Sequence, residues 1–376
     1  MTGFLSKERI VAGPGFSRWW IAVAGLLINL SVGQAYAWSV FNLPLTRVLG
    51  VREAVPADWK VPALGFVFTL AYVFLGLSAG VLGKWQDRVG PRASGFVAAV
   101  CFGSGFFLSA VGVWRHEIAL LYVGYGVLGG CGLGLGFNTP IPILLRWFPD
   151  RRGLAAGLAI MGFGGGAILA APLSTALMRR FASPSSVGVA ETFVALGVLY
   201  TAAMMAGAFL FRLPPAGFHP QGEAPAPLRG FTVEQAVRTR PFVLLWCMLL
   251  LNVTAGLGVL GQAAAMVQDV FDGVSAEAAG FFVALLSVFN MGGRLAWAWL
   301  SDLLGRRATY ALFFSLGPLL YAAVPFAGQQ RSLVLFVGCF AVIMSMYGGA
   351  FATMPAYVAD LFGGAHVGAI YGRVLT

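Results

Sequence analysis

The sequence predicts an all-α polytopic membrane protein made of two six-helix pseudo-repeats, and three observations predict it. Hydrophobic residues make up 59% of the chain and charged residues 10%. Apolar runs exceeding the ~20 residues that span a bilayer core recur along it. A short basic turn occurs twice, as Gly83, Asp87, Arg88, Gly90 and Arg92 and again as Asp302, Gly305, Arg306 and Arg307, each copy wedged between long apolar segments. Unpaired backbone groups are intolerable in lipid and the runs show no ten-residue alternation, so the spans are helices and not barrel strands.

The elements follow from the breaks between apolar runs. The first run gives α1 at 19–45; it is too long for the core of a cleavable signal and more spans follow, so it counts as a span. The basic turn separates α2 at 61–84 from α3 at 93–113. Then come α4 at 118–148, α5 at 153–178 and α6 at 190–211. Residues 212–240 hold Pro214, Pro215, Pro220, Pro225 and Pro227 and too few apolar residues for a core, which reads as a linker. Beyond it lie α7 at 241–270, α8 at 277–300, α9 at 309–327 and α10 at 332–361. An eleventh helix, α11, starts near Val367 and the sequence stops inside it at Thr376. The domains expected are therefore 1–211, the linker 212–240, and 241–376.

A net charge of +10 would suggest nucleic acid in a soluble chain, but here the cations sit in loops. Lys7, Arg9 and Arg18, the loops after α2, α4 and α8, and the linker carry most of them. By the positive-inside rule this places the N-terminus and linker in the cytoplasm of a multi-pass cell-membrane protein, with the bilayer as partner and no nucleic acid. Trp19, Trp20, Trp59, Trp85, Trp114 and Trp147 fall near span ends, as interfacial anchors do. Cys101, Cys131, Cys247 and Cys339 lie within spans without CxxC spacing, and His116, His219 and His366 lie in loops, so no metal centre, cofactor or catalytic constellation is expected and the chain is not read as an enzyme. The runs Gly129 to Gly136 and Met161 to Ala167 follow no strand, so they read as helix-contact surfaces and not as nucleotide loops. The sequons at Asn29 and Asn252 fall inside spans and are not expected to be modified.

The duplication extends past the basic turn. Asn29 to Gly33 (NLSVG) is echoed by Asn252 to Gly256 (NVTAG), Gly153 to Gly157 (GLAAG) by Gly368 to Gly372 (GAIYG), and Phe137, Thr139 and Phe148 by Phe351, Thr353 and Phe362. Such an ordered series is expected of a carrier whose site lies between repeats. The basic turn resembles that of the major facilitator superfamily. Within that superfamily, Tyr36 to Leu45, Arg146 to Ala167, Asn252 to Gln262 and Phe351 to Gly363 resemble the oxalate/formate antiporter family. The resemblance implies the major facilitator fold and alternating-access transport of small carboxylates, with monocarboxylate carriers as near relatives. The stretch Val51 to Lys60 departs from it by its length. The resemblance also implies a second cationic site residue on α11, just past Thr376.

Arg294 is the sharpest candidate for the site. It lies on α8 about two turns before Asp302, well inside the membrane, where a cation costs roughly 2.5–3.5 kcal/mol on insertion scales and marks an ion or substrate path. The alternative is an arginine that snorkels or packs on carbonyls. In the resemblance Arg294 falls on the arginine that grips the substrate carboxylate with its two-donor fork. Asn290, one turn earlier, takes the place of an Asp in monocarboxylate carriers. All 14 Asp and Glu residues fall in loops or near span ends, so no mid-membrane carboxylate is expected beside Arg294.

Tyr36, Trp38, Tyr72, Tyr347 and Phe351 are candidate lining residues or core packing; Tyr347 and Phe351 match an aromatic pair of the oxalate carrier. Gln34, Asn138 and Gln262 either line the cavity or bond neighbouring helices. Asp87, Arg88, Arg92, Arg146, Asp302 and Arg306 form a candidate gate, in which a carboxylate meets a helix N-terminus across the half interface and loop arginines meet Asp150 or Asp360. A purely topogenic role is the alternative. The reading is a monomeric exchanger of oxalate, formate, lactate or pyruvate-like anions. A proton-coupled monocarboxylate symporter or a transporter-like membrane sensor are the alternatives.

Overall fold

A computed structural model describes residues 5–215, 218, 230–274 and 276–376, without the side chains of 8, 152, 261, 262, 264, 265, 276, 277, 279 and 280. The described residues form helices and connecting turns with no strand. Ten helices among them are long and apolar enough to cross a membrane. They are α1 (Trp19–Ala37), α2 (Val61–Val89), α3 (Pro91–Arg115), α4 (Ile118–Trp147), α5 (Arg152–Phe181), α6 (Val189–Leu210), α7 (Arg240–Val270), α8 (Ala276–Leu304), α9 (Arg306–Gln329) and α10 (Leu333–Phe362). The shorter α11 spans Val367–Val374. Part of the predicted linker, at 216, 217 and 219–229, lies outside the described residues. Its end is ordered as a short helix, Val233–Val237, closed by a capping box in which Thr232 Oγ1 accepts from the Gln235 N–H at 3.3 Å and Gln235 Oε1 accepts from the Thr232 N–H at 2.9 Å.

The basic turn is built the same way both times. Gly90 ends α2 at φ +91° and Gly305 ends α8 at φ +83°, a backbone region that side-chain-bearing residues avoid. The Gly90 N–H donates to Gln86 O at 2.9 Å and the Gly305 N–H to Ser301 O at 3.1 Å. Both helices outrun their predicted ends at 84 and 300, because charged side chains at a water interface do not stop a helix whereas a left-handed glycine does.

Two helices depart from regularity in ways hydropathy does not report. The run expected as one helix at 19–45 is regular only to Val32, tightens to a 3₁₀ segment over Gly33–Ala37, and resumes as a separate helix, Ser39–Leu45. The irregularity falls where α1 meets α5 backbone to backbone: a Cβ on Gly33 would stand 2.5 Å from Phe163 O, and one on Gly166 would stand 2.4 Å from Gly33 C. Gln34 and Tyr36 ride on this tightened segment. In α4, Tyr122–Gly129 is π-helical beside α3, where a Cβ on Gly105 would fall 2.8 Å from Gly124 O.

Packing places the site. α8 lies against α5 and α10, while α11 lies against α2, so helices from the start and end of the chain share surfaces. One apolar core runs through the first six helices and into α10 and α11, and a smaller one joins α7, α8 and α10 through Leu286, Phe336, Phe340 and Met344. The seam between α1 and α5 on one side and α7, α8 and α10 on the other holds the chemistry.

Candidate functional site: a buried arginine in an aromatic cavity

Arg294 is fully buried at 0% exposure, although nothing about its side chain favours leaving water. Its donors are met by neutral oxygens. Nε donates to Asn290 Oδ1 at 3.2 Å, Nη1 to Ile160 O at 3.2 Å, and Nη2 to the Tyr36 hydroxyl at 3.3 Å. The guanidinium carbon lies 5.5 Å from the Phe163 ring centre and 5.3 Å from that of Phe351, so ring faces from α5 and α10 flank it. No carboxylate among the described residues pairs with it. One cation thereby ties α8 to α5 and to α1.

Room for that cation comes from glycines. A Cβ on Gly164 would sit 2.7 Å from Arg294 Nε, and one on Gly348 would sit 2.6 Å from Asn290 Oδ1. The glycine-rich run of α5, read from sequence as a helix-contact surface, also forms the cradle of the arginine.

Beside the cation lies a cavity of about 210 Å³. Tyr36, Tyr72, Phe137, Phe163, Tyr347 and Phe351 line much of it. The hydroxyls of Tyr36 and Tyr347 meet at 3.4 Å, while that of Tyr72 is buried with no partner among the described residues. Gly256 makes space for the Tyr347 ring, since a Cβ there would approach it to 2.1 Å. Phe137 and Phe163 were not singled out from sequence. The signal that could have found Phe137 is its repeat partner Phe351.

Three predicted lining residues stand elsewhere. Trp38 is 2% exposed, with its ring 4.3 Å from that of Tyr125 and stacked on Phe193 at 6.2 Å, so it belongs to the core of the first helices and not to the cavity. Gln34 accepts from the Tyr125 hydroxyl at 2.9 Å, which is the helix-bonding alternative. Asn138 likewise bonds helices, donating to Gln86 Oε1 at 2.8 Å and to Gly368 O at 3.0 Å. The side chain of Gln262 lies outside the described residues.

At the basic-turn end, two carboxylates cap helices across the seam. Asp302 on α8 accepts from the N–H groups of Gly153 at 2.8 Å and Leu154 at 3.0 Å, at the start of α5. Asp87 on α2 accepts from the N–H of Ala369 at 3.2 Å, at the start of α11. Arg306 pairs with Asp302 at 2.6 Å and with Asp360 at 3.0 Å. Arg146 shares a small recess with Asp87. The remaining loop residues differ from expectation: Arg92 turns to Phe209 O at the end of α6 at 3.3 Å, Arg88 is exposed, and Asp150 pairs with Arg18 at 2.9 Å. Each finds its partner on the same side of the seam or in water, because the nearest orphan carbonyls and charges are there.

Apolar helices without a strand among the described residues, a repeated glycine turn, and an aromatic cavity edged by tyrosine hydroxyls at the seam between the two groups of helices define a secondary transporter of the membrane. The sequence profile of the Major Facilitator Superfamily matches residues 15–376, and the chain belongs to that family. It is 28% identical to the MFS-type transporter YhjX of Escherichia coli over 95% of this chain and 84% of the relative. It is 27% identical to the oxalate:formate antiporter of Oxalobacter formigenes over 95% of this chain and 80% of the relative. Its fold matches that of the proton:xylose symporter XylE with a TM-score of 0.62 at 17% identity, covering 95% of this chain and 85% of that one.

Proposed function

We propose that the protein exchanges small carboxylate anions across the cell membrane by alternating access, with Arg294 as the group that holds the carboxylate. The observation that carries this reading is a fully buried guanidinium whose partners among the described residues are all neutral. A buried charge matched only by dipoles is costly, and truncating or moving one of its partners leaves it uncompensated. An anion entering the cavity supplies the missing charge. The empty carrier, having to reorient with the cation unmatched, is slow, so net flux is disfavoured and exchange prevails. Asn290 supports exchange over proton coupling, because an amide cannot carry the proton that an acid at that position would.

In this reading the N-terminal helices, 1–211, and the C-terminal helices, 241–376, rock about the linker. The basic-turn end faces the cytoplasm, and Asp87, Asp302 and Arg306 hold it shut. A single chain suffices, since the cavity lies within it. The sequence similarity to the oxalate:formate antiporter supports the substrate class.

Proteoliposomes test the reading. Labelled oxalate, formate or pyruvate should enter vesicles many-fold faster when the same anion is loaded inside. Rapid uptake into empty vesicles driven by a pH gradient would overturn exchange in favour of proton symport.

A further inference from the structure

The two copies of the basic turn close the same end of the molecule with different charges. In the second copy Arg306 bonds the Asp302 carboxylate, the Ser301 hydroxyl and, at 3.0 Å, the Asp360 carboxylate. One cation thus ties the end of α8 to the start of α9 and the end of α10. The repeat offset that pairs Asp87 with Asp302 pairs Pro91 with Arg306, and the one that pairs Phe148 with Phe362 pairs Arg146 with Asp360. The first copy therefore has a proline in place of the arginine and a cation in place of the partner carboxylate. Arg146 does not make good the loss, since it comes within 4 Å of no carboxylate among the described residues.

Lys7 stands where the first copy lacks its arginine. Its ammonium donates to the main-chain carbonyl of Asp87, in the last turn of α2. Its stem lies on the turn glycine, for a Cβ on Gly90 would come within 2.8 Å of Lys7 Cγ and 3.2 Å of Cε. The second copy has no such cover: a Cβ on Gly305 would meet no described atom within 4 Å. Arg146, His366 and Lys7 are the titratable groups that act on the Asp87 carboxylate through space. A cation at the carbonyls of a last helical turn is favoured by the negative end of the dipole. Here it also stands beside the carboxylate that caps a helix of the other half. The segment that carries Lys7 is held in place, because Ile10 is buried and Leu213 bonds both Ile10 and Ala12.

Resting on the alternating-access reading, in which the basic-turn end opens and closes, we infer that Lys7 is the gate cation of the first repeat. It is a positioning residue that acts through Asp87 as Arg306 acts through Asp302, supplied from the N-terminal segment because the repeat's own position is Pro91. With the last turn of α2 fixed by Lys7, the Asp87 carboxylate stays on the Ala369 N–H at 3.2 Å. Without that charge the carboxylate is held less firmly, and the population moves toward the form open at this end. The N-terminal segment is in this way a bias on the conformational equilibrium.

Spin labels at positions 88 and 307, with the four native cysteines replaced by alanine, read the width of that end. Lys7→Met should raise the population of the wide form about two- to fivefold, and Lys7→Arg should leave it near the natural value. Lys7→Met combined with Pro91→Arg, which writes the second repeat's cation into the first, should return most of the way to the natural distance. A side chain on α3 cannot replace an anchor of the N-terminal segment, so absence of rescue by Pro91→Arg overturns the inference. So does a Lys7→Met distance equal to the natural one. Asp302→Asn separates the two levels of the argument: if it widens the end while Lys7→Met does not, the inference alone falls, and if neither does, the gate reading beneath it falls as well. Lys7→Gln takes the place of Lys7→Met should that variant fail to fold.

Discussion

Asp87 and Asp302 occupy matching positions in the two copies of the basic turn, and each places its carboxylate on the first turn of a helix that belongs to the other half of the chain. Asp302 takes two N–H groups, Gly153 and Leu154, and also pairs with Arg306. Asp87 takes one, Ala369, with Lys7 bonded to its own backbone carbonyl. The chemistry is that of a side-chain cap, supplied in trans. Orphan N–H groups at a helix start and the positive end of its dipole both favour a carboxylate there, by about 1 kcal/mol for a cap of this kind. The two contacts are alike in kind and unequal in strength.

That inequality predicts unequal effects of neutralising them. Asp302→Asn should open the basic-turn end more than Asp87→Asn, because it loses an ion pair as well as two charge-assisted bonds. About 1–1.4 kcal/mol for Asp302 corresponds to a five- to tenfold shift in population. Spin labels at the exposed positions Arg88 and Arg307 should report a longer distance in the Asp302 variant and a smaller change in the Asp87 variant. Equal or absent changes would remove the caps from the gate.

Lys7 extends the contact to the N-terminal segment. This segment is tied down by the Ala12 N–H to Leu213 O at 2.8 Å and the Leu213 N–H to Ile10 O at 2.7 Å, so it pairs with the chain leaving α6. Ile10 is fully buried beneath it. Deleting residues 5–12 should therefore loosen the last turn of α2, with faster amide exchange around Gln86 to Val89 and little change in α3. Uniform exchange in the two proteins would show the segment to be a passive cover.

Arg294 and its cradle give a graded series. Arg294→Ala is expected to abolish anion exchange while leaving the protein folded, since it removes a charge that folding does not require. Arg294→Lys retains the charge without the planar fork that reaches three acceptors, and should reduce exchange by about ten- to a hundredfold. Gly164→Ala touches no substrate, yet its methyl would intrude on Nε, so it should impair exchange about as much as Arg294→Lys. Tyr36→Phe removes a single hydrogen bond to the cation and should cost about 1 kcal/mol, a roughly fivefold weaker apparent affinity. Initial-rate counterflow in proteoliposomes reads all four. Unchanged transport in Arg294→Ala would take the residue out of the mechanism.

Much of this was legible in the chain. Spans, basic turns and the depth of Arg294 follow from hydropathy, helical rise and position alone, and the offset between repeats pairs Asp87 with Asp302. What the sequence does not carry is azimuth. Trp38 and Tyr36 are two residues apart, and a regular helix would turn them about 200° from each other. The 3₁₀ segment at Gly33–Ala37 decides which one meets the cavity, and it forms where two glycine backbones from distant segments touch. Gly164 was invisible as a site residue for a related reason: its role is an absence of side chain opposite a residue 130 positions away. The partners of Arg92 and Asp150 escaped because loop charges choose among several near neighbours, and only packing fixes which is closest.

The stretch between α1 and α2 is organised by one carboxylate. Asp58 is 7% exposed and accepts from Leu49 N at 2.8 Å, Val55 N at 3.0 Å and Gly50 N at 3.3 Å. The adjoining Trp59 ring stacks on His116 at 4.4 Å, and His116 Nε2 lies 3.0 Å from Ala57 O. Burial pushes the Asp58 carboxyl up, but the N–H groups of Val55, Leu49 and Gly50, with His116 nearby, outweigh it and hold the group below its usual range. A carboxyl whose pKa is depressed by folding contributes stability that is full above its unfolded value of about 3.9 and is lost as pH falls through the folded value. The natural protein should accordingly lose thermal stability in detergent as pH drops below about 4, relative to Asp58→Asn, whose amide cannot titrate. The difference in melting temperature between the two should be constant from pH 5 to pH 7 and shrink below pH 4. A difference that does not narrow with acid would mean the three N–H groups do not hold Asp58 ionised, and that the loop owes its order to the Trp59–His116 stack instead.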